Sequence, residues 1–283
     1  MGIRNPLVAG MFYPERKEEL EKMLLGFFES VKSDKKDVKG IVAPHAGYIY
    51  CGKTAASVYS SLKKNFETVV VIGPNHSGLG VGVATSLDEW KTPLGLLKPD
   101  KDFIKEIIKD SIILEDPGSH RREHSIEVQL PWLQYVFEDI KLIPISINPI
   151  YFDIKTCKEI GERISLASKK LGRKVLLVAS TDFTHYGSMY GYTPFRESKD
   201  TIEKIKEMDM EVIRFINKLD AENVIKTCKE KRLTICGYGC VASMIFAAKN
   251  LGAKGGNLVN YSTSFDVSRD ISAIVGYAGI EIK

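Results

Sequence analysis

The feature that most constrains the fold is a set of short, uninterrupted apolar runs separated by segments with helical periodicity. The clearest is ETVVVIGP (67–74), which is rich in β-branched residues and ends at Gly-Pro, as a buried strand does. VKGIVAP (38–44) and RKVLLVAS (173–180) are similar runs. Strands that are apolar on both faces belong to parallel sheets covered by helices on each side. The pattern predicts an α/β fold with a mixed, mostly parallel central sheet flanked by helices on both faces.

Helical segments alternate with strands along the whole chain. Apolar spacing predicts helices at 17–31, about 53–62, 100–110, 124–139 (kinked or restarted at Pro131), 154–171, about 197–217, 220–226 behind an Asp220 cap, and 236–252. Further strands are predicted at 81–86 with 94–99 as hairpin partner, at 140–148 with a bulge or edge at Pro144, and as a closing antiparallel pair at 256–265 and 272–282. Because no linker or repeat interrupts this order, residues 1–283 are predicted to form a single domain.

Composition argues against several classes of partner. The 40 basic and 36 acidic residues give a net charge of only +4 without a basic block, which disfavours nucleic acid. No apolar run reaches the roughly 18–20 residues of a membrane span, and the N-terminus lacks the features of a signal peptide. The five cysteines are odd in number and scattered, as in a reducing compartment. We expect a cytoplasmic protein without a nucleic-acid or membrane partner.

A nucleotide cofactor is not expected either. The stretch SGLGVG (77–82) places its glycines at alternate positions, and no helix is predicted to follow it. A dinucleotide fingerprint requires a different glycine spacing between a strand and a helix. The glycine-rich stretch is therefore interpreted as a turn.

Polar residues follow three of the predicted strands at the points where they end. IVAP is followed by His45, VVVIGP by His76, and KVLLVAS by Asp182 and His185. In open α/β sheets, ligands bind beyond the carboxyl ends of the strands. If the three strands are parallel neighbours, these side chains converge on one rim. The alternative is that each histidine caps its own turn.

Cys236 is a further candidate for this rim. It begins CGYGC at the predicted first turn of an apolar helix, where the helix dipole favours a thiolate. Either Cys236 and Cys240 are both small buried residues, or Cys236 completes a metal-binding set with His45 and His76. Imidazole suits zinc, copper and iron, and thiolate suits the softer ions. Asp182 would then orient a histidine ring through a hydrogen bond.

The remaining histidines lie in SHRREHSIEVQLPWL (119–133). His124 and Glu127 are three residues apart and are predicted to share a helix face. His124 is either a general acid or substrate contact at the same rim, or part of an exposed, capped helix start. His120 is predicted to lie in a loop beside Arg121 and Arg122.

The stretches PHAGYIYCG, GPNHSG, EHSIEVQLPWL, STDFTHYG and TICGYG, in this order, resemble the Memo family, and NPLVAGMFYP resembles its N-terminus. The likeness covers essentially the whole chain. It implies a fold similar to that of the class III extradiol dioxygenases, which are non-haem iron enzymes. It also implies metal binding at His45, His76 and Cys236, with Asp182 and His185 beside them. Animal members are linked to receptor tyrosine kinase signalling, cell motility and copper or iron binding, and microbial members to radical-SAM partner proteins.

One departure separates this sequence from the ring-cleaving dioxygenases. Those enzymes hold iron with two histidines and a carboxylate, whereas Cys236 resembles the residue at the carboxylate position here. A thiolate is softer and easily oxidised, so ring cleavage does not carry over with the fold.

Three functional hypotheses follow. The preferred one is metal-dependent redox or oxygenase-type chemistry on an unknown small molecule, with iron or copper, or else zinc, and with His185, Asp182 and His124 as catalytic residues. The second is a non-catalytic binding or signalling module that holds a peptide or an anionic ligand with His and Arg side chains at the rim. The third is a metal-free thiol enzyme in which Cys236 is the nucleophile and His185 its base.

Overall fold

The strands and helices alternate as predicted. The computed structural model describes residues 2–32 and 34–283. The elements in chain order are β1 (Ile3–Arg4), α1 (Lys17–Glu29), β2 (Gly40–Ala43), α2 (Tyr48–Tyr59), β3 (Thr68–Pro74), β4 (Val83–Thr85), β5 (Glu89–Thr92), β6 (Gly95–Leu97), α3 (Lys101–Ile108), β7 (Leu114–Glu115), α4 (Leu130–Val136), β8 (Lys141–Ile147), α5 (Ile154–Leu171), β9 (Val175–Ser180), β10 (His185–Gly187), α6 (Thr201–Asn217), α7 (Ala221–Glu230), α8 (Tyr238–Asn250), β11 (Gly256–Thr263), α9 (Phe265–Ser268) and β12 (Ala273–Ile282). Short 3₁₀ turns lie at Pro117–His120, Glu127–Gln129, Pro149–Tyr151 and Ser188–Tyr190.

The central sheet is mixed, with a parallel core. Its strand order is β10-β12-β2-β9-β3-β8-β4-β7, and β11 also pairs with β12. The four strands β2, β9, β3 and β8 are parallel neighbours, while β12 runs antiparallel to β2 and to β11. A separate small sheet contains β1, β5 and β6. The predicted fold class and the antiparallel closing pair are confirmed.

Helices cover both faces of the sheet, as the continuous apolar runs require. Val70 and Ile72 of β3 pack into one core cluster with residues of α3, α5, α6, α7 and α8. The alternate residues Val69 and Val71 pack into a second cluster with residues of α1, α2 and α4. Since burying one such side chain contributes about 1.5–3 kcal/mol, a polar residue within β3 would weaken one of the two layers.

Two local predictions are wrong, and a third is correct only in part. The helix expected from about residue 53 already begins at Tyr48, directly after the turn that follows β2. The predicted hairpin between 81–86 and 94–99 does not form, because β4 pairs with β8 and β7 whereas β6 pairs with β5. The segment 124–139 is helical in the α conformation only from Leu130. Pro131 lies in the first turn of that helix, where a missing N–H costs little, so the predicted restart is correct.

Pro144 does not produce the predicted bulge. β8 pairs with β3 without a shift in register, and Pro144 lies opposite Val71. The backbone N–H of Leu142 donates to Lys98 O, away from β3. Because alternate residues of a strand face the same side, the nitrogen of Pro144 also faces away from β3, and its missing N–H breaks no hydrogen bond to that strand. β4 pairs with β8 only at Ser146 and Ile147. β8 lies between β3 and β4 in the sheet, so the predicted edge position is also wrong, and the ring of Pro144 is accommodated where β4 does not pair with β8.

Within the described parts of the chain, no helix combines the length and the apolar character that crossing a bilayer demands.

Candidate metal centre

The carboxyl ends of β2, β9 and β3 bring three polar segments to one edge of the sheet. His45 lies two residues after β2, Asp182 two residues after β9, and His76 two residues after β3. Because these strands are parallel neighbours, their following loops meet. The predicted convergence is therefore observed in the structure.

Cys236 completes a group of potential metal ligands with His45 and His76. One ring nitrogen of each histidine and the Cys236 Sγ all lie within 4.8 Å of one another. The Sγ is 3.2 Å from His45 Nε2 and accepts a hydrogen bond from the backbone N–H of Asp182 at 3.3 Å. Two imidazoles and a thiolate form a donor set that suits iron, copper or zinc.

A close backbone contact carries Cys236 to this position. The N–H of Gly237 donates to Thr181 Oγ1 at 2.9 Å. A Cβ on Gly237 would lie 2.6 Å from Ser180 O, so only glycine permits this approach. The helix α8 begins at Tyr238, two residues after Cys236, so Cys236 precedes the helix rather than forming its first turn.

The hydrogen bonds of Ser180 determine which nitrogen of His45 is available. The Ser180 hydroxyl donates to Ser125 O at 2.6 Å and accepts from Gln129 Nε2 at 2.9 Å. His45 Nδ1 lies 3.0 Å from the same oxygen. Since a hydroxyl has a single proton, which Ser125 O takes, Nδ1 must donate to it. The lone pair of His45 is therefore on Nε2, which faces Cys236.

Glu123 fixes the ring of His76 in the same way. His76 Nδ1 lies 3.0 Å from Glu123 Oε1, and a carboxylate can only accept. The same carboxylate accepts from the backbone N–H of His76 and from those of His124 and Ser125, the last two at 2.8 Å. Nε2 of His76 is thereby directed toward the ligand group. Glu123 was not predicted as a site residue, although it is the first residue of the EHSIEVQLPWL stretch.

Burial and neighbouring charges shift the pKa values of His45 and His76 in opposite directions. Complete burial, followed by the nearby imidazoles, lowers the pKa of His45 well below its usual range. Burial also lowers the pKa of His76, but the Cys236 and Glu123 side chains outweigh it and raise the value to about 10. The pKa of Glu123 is lowered to about 2, because its partner His76 outweighs the effect of burial. Without metal, His76 and Glu123 form an ion pair.

The structure corrects the role predicted for Asp182. Its Oδ1 accepts from the backbone N–H of His45 at 2.8 Å, so it fixes the loop and does not orient a histidine ring. Burial raises the pKa of this carboxyl, against the effect of the neighbouring His185. The carboxylate lies in the cleft wall beside the candidate ligands.

His185 presents Nε2 to the cleft. Its Nδ1 lies 2.9 Å from Thr234 O, and because a carbonyl only accepts, Nδ1 must donate. The Thr234 hydroxyl also bonds to the backbone of His185 at 2.9 Å. The Tyr190 ring packs edge-on against the imidazole, with 5.1 Å between centroids. The orienting partner of this histidine is thus Thr234 and not Asp182.

His124 lies at the same rim but not on a helix. It stacks on His76 with 4.9 Å between ring centroids and an interplanar angle of 19°. Its predicted partner Glu127 is instead buried against Arg4 and the Tyr13 hydroxyl, so the shared helix face does not exist. His76, Glu123 and His124 form a second group whose ligand atoms lie within 4.8 Å of one another.

His120 does not belong to this site. It is buried in a 3₁₀ turn with its ring 5.5 Å from the ring of Trp90. Burial, with Arg4 nearby, lowers its pKa to about 4. His120 was predicted to lie in a loop beside Arg121 and Arg122, and the structure places it at the buried end of a 3₁₀ turn that these two residues follow.

A cleft of about 560 Å³ opens beside the candidate ligands. Its lining combines imidazoles with aromatic, apolar and acidic side chains, namely Met11, Phe12, His45, Ala46, Gly47, Tyr50, His76, His124, Asp182, His185, Tyr190, Ser264, Ser268, Asp270, Ala273, Val275 and Tyr277. A volume of this size accommodates a small organic molecule.

Comparisons with known proteins agree with the motifs. MEMO1 family proteins of Methanosarcina barkeri and Pyrococcus horikoshii are each 42% identical, over 282 and 291 residues, and these alignments cover 99% of this chain and 100% and 99% of those proteins. The crystal structure of uncharacterized protein JW3007 from Escherichia coli K12 superposes with a TM-score of 0.58 at 11% identity, covering 87% of this chain and 100% of that one, which shows a shared fold. A sequence model of the family described as Memo-like protein matches residues 4–281. The chain therefore belongs to the Memo family.

Proposed function

We propose that this protein binds iron or copper through His45 Nε2, His76 Nε2 and Cys236 Sγ, and acts on a small organic molecule by metal-dependent redox or oxygenase-type chemistry. The single observation that carries the proposal is that three segments distant in sequence bring these atoms within 4.8 Å of one another. Zinc fits the same donors but supplies no redox chemistry.

The surroundings of the two histidines support ligation. In each ring Nδ1 donates to an oxygen of the protein, Ser180 Oγ for His45 and Glu123 Oε1 for His76. Such a partner fixes the tautomer and strengthens the other nitrogen as a ligand. Burial, which lowers the pKa of His45, also favours the neutral imidazole that a metal requires.

Three further residues take the roles of proton carrier and support. His185 directs Nε2 into the cleft and is the proposed acid or base toward the substrate. Asp182, on the adjoining wall, holds the loop of His45 through a backbone hydrogen bond and balances the positive charge of a bound ion. His124, stacked on His76, is the proposed second proton carrier. A bound iron or copper ion would supply Lewis-acid and electron-transfer chemistry.

The metal-free thiol hypothesis is less well supported. The nitrogen closest to Cys236 Sγ is Nε2 of His45, at 3.2 Å, whereas the predicted base was His185. Because complete burial lowers the pKa of His45 well below its usual range, this ring is a poor proton acceptor. A thiolate–imidazolium pair of Cys236 with His45, of the kind found in cysteine hydrolases, is thereby disfavoured.

The alternative of a binding module for an anionic ligand also lacks support. The predicted Arg side chains are missing from the cleft wall in the part of the chain that the structure describes. Carboxylates and phosphates are normally held by Arg or Lys in fork-like hydrogen bonds. Partner and location remain proposals: a radical-SAM protein as partner rests on the family resemblance, and a cytoplasmic location on the five free cysteines.

Metal analysis under anaerobic conditions tests the proposed function. Protein is loaded with Fe(II) or with Cu(I), freed of excess ion and analysed for metal per chain. Wild type is compared with the double variant His45→Ala/His76→Ala and with Cys236→Ala. We expect both variants to lose at least about tenfold in affinity, since each lacks a direct ligand. Affinity should also rise with pH, because metal displaces a proton from His76.

Cys228→Ala is the matched control, since Cys228 is buried in α7 and is not among the candidate ligands. It should retain the metal. Equal retention by wild type and the histidine double variant would contradict the proposal. Retention by Cys236→Ala, together with loss on Glu123→Gln, would instead place the ion at the second group, His76, Glu123 and His124.

A further inference from the structure

One wall of the cleft combines aromatic rings with carboxylates. The residues of this wall are Tyr50, Tyr190, Tyr277, Asp182 and Asp270. Tyr190 joins the wall to the candidate metal centre, because its ring packs edge-on against His185 at 5.1 Å. A molecule bound in the cleft next to His185 would therefore lie beside this wall.

The tyrosines are neutral phenols with electron-rich faces. Burial, then the charge of Asp182, raises the pKa of Tyr190 and of Tyr277. Tyr50 and Asp270 also act on Tyr190, which shows that these side chains lie close together. Aromatic faces grouped in this way attract organic cations, and quaternary or primary ammonium groups are their usual ligands.

The charged groups of this five-residue wall are both carboxylates, and the positive charge that the cleft holds without metal lies on His76, which is paired with Glu123 outside the wall. Asp270 is exposed at the rim, and its Oδ1 accepts from the N–H and the hydroxyl of Ser272 at 2.9 and 2.7 Å, which lowers its pKa. Lys and Arg are absent from the lining formed by residues 2–32 and 34–283. Arg269, the neighbour of Asp270 in sequence, places its guanidinium 5.7 Å from the ring of Phe265, outside this wall.

A bound metal does not reverse this preference. A divalent ion that is ligated by the Cys236 thiolate carries one remaining positive charge. The carboxyl group of Asp182 lines the cleft beside these ligands, where its Oδ1 accepts from the backbone N–H of His45. Asp270 remains, so the outer half of the cleft attracts cations and repels carboxylates or phosphates.

We propose that the cleft selects an organic amine in its ammonium form. The ammonium group would lie against the exposed rings of Tyr50 and Tyr190 and next to Asp270, with the buried Tyr277 behind them, while the apolar or aromatic body of the ligand extends toward His45 and His76. For the end of the ligand that reacts, the inference rests on the proposed metal-dependent function. For the charged end it rests on the wall alone.

A series of three phenols of similar shape tests the inference. Tyramine carries an ammonium group, 2-(4-hydroxyphenyl)ethanol is neutral, and 4-hydroxyphenylacetate is an anion. Binding to the full chain is measured by calorimetry at pH 7, with and without Fe(II). We expect tyramine to bind at least about tenfold more tightly than 4-hydroxyphenylacetate, with the alcohol between them. Added salt should weaken the binding of tyramine but leave that of the alcohol unchanged.

Two variants test whether Asp270 and Tyr190 cause the preference for the ammonium group. Asp270→Asn and Tyr190→Leu should each weaken tyramine binding about fivefold, and Asp270→Asn should leave the affinity for the alcohol within about twofold. Glu138→Gln is the control, because Glu138 is an exposed acid that precedes β8 at the opposite, amino-terminal edge of the parallel strands. It should change none of the three affinities.

Equal affinities for the three phenols, a preference for the anion, or no binding at millimolar concentration would overturn the inference. The proposed function fails separately, through the metal content of the same preparations. A protein that retains no metal but prefers tyramine would refute metal dependence and support the amine site. A protein that retains metal and prefers the anion would support metal binding and refute the amine site.

Discussion

Replacement of Glu123 by glutamine would remove a buried negative charge from behind the His76 ring at nearly constant volume. The Glu123 side chain is 1% exposed and accepts hydrogen bonds from His76 Nδ1 and from the backbone N–H groups of His76, His124 and Ser125. Glutamine keeps one carbonyl acceptor but loses the charge that holds His76 as an imidazolium. The variant therefore separates the ion pair from the shape of the site.

The lowered pKa of Glu123 sets an upper limit on the stability that the variant loses. It is lowered from 4.5 to about 2, and each pKa unit corresponds to about 1.4 kcal/mol, so the pair contributes at most about 3 kcal/mol to the metal-free protein. The raised pKa of His76 describes the same pair and adds no second contribution. Since the His76 side chain is 34% exposed, water screens the pair and the measured loss should fall below this limit.

The stability that this ion pair contributes changes with pH in a definite direction. A carboxyl whose pKa is lowered on folding stabilises the protein fully above its unfolded value of 4.5, and that contribution is lost as the pH falls through 2. On the alkaline side, the stabilisation of a raised histidine is complete below 6.5 and is lost as the pH rises through about 10. The difference between wild type and Glu123→Gln should therefore be largest near pH 6 and about half as large near pH 3.

Urea unfolding of the metal-free protein, followed by tryptophan fluorescence with a chelator present, measures this difference. Glu138→Gln, which replaces an exposed acid, should show no comparable change. Loading with Fe(II) should give an affinity about 10–100-fold lower for Glu123→Gln than for wild type. A stability difference below about 0.5 kcal/mol, or one that is equal at pH 3 and pH 6, would refute the assignment of an ion pair.

Four other substitutions test interactions at the site and elsewhere in the fold. Ser180→Ala removes the hydroxyl that holds His45 Nδ1, and we expect about 1–3 kcal/mol lower stability in thermal unfolding and weaker metal binding. Asp209 is buried, which raises its pKa from 3.8 to about 6, so wild-type stability should fall as pH rises through this window. In urea unfolding, Asp209→Asn should lack that fall and gain up to about 3 kcal/mol relative to wild type between pH 4 and pH 7. Gly73→Ala would place a Cβ 2.5 Å from Ser125 Oγ and should lower the free energy of unfolding by about 1–3 kcal/mol. Gly26→Ala in α1, where a Cβ would meet no atom within 4 Å, should raise it by up to about 1 kcal/mol in the same assay.

The elements that sequence predicts well are those whose burial is uniform. β3 and β9 are continuous apolar runs, and helix α5 was predicted with its observed bounds, which the structure shows to be set by the Asp153 cap and the left-handed Gly172. β4 is only three residues long, and packing against β8 determines its pairing. Local sequence carries no signal for such a distant partner, so the hairpin with 94–99 was wrong.

The residues of the candidate site also fall into those that the sequence could predict and those that it could not. His45 and His76 could be found because each follows a recognisable strand, and parallel strands share an edge. Ser180 and Glu123 could not, because their contacts with these rings span 135 and 47 residues of sequence. Asp182 was placed correctly at the rim but was given the wrong partner. A hydrogen bond to a backbone N–H leaves no pattern in the side chains.

The order in which the candidate ligands occur along the chain has a consequence for biosynthesis. Cys236 lies 191 residues after His45, and β2, which carries His45 to the rim, pairs with β12 at the end of the chain. A ribosome-bound chain therefore displays both histidines long before the thiol emerges. The strand beneath His45 gains its second neighbour only when residues 280–282 are released. The proposed loading with metal would thus require synthesis to have passed Cys236, and a chain truncated before residue 236 would carry imidazoles without their sulfur partner.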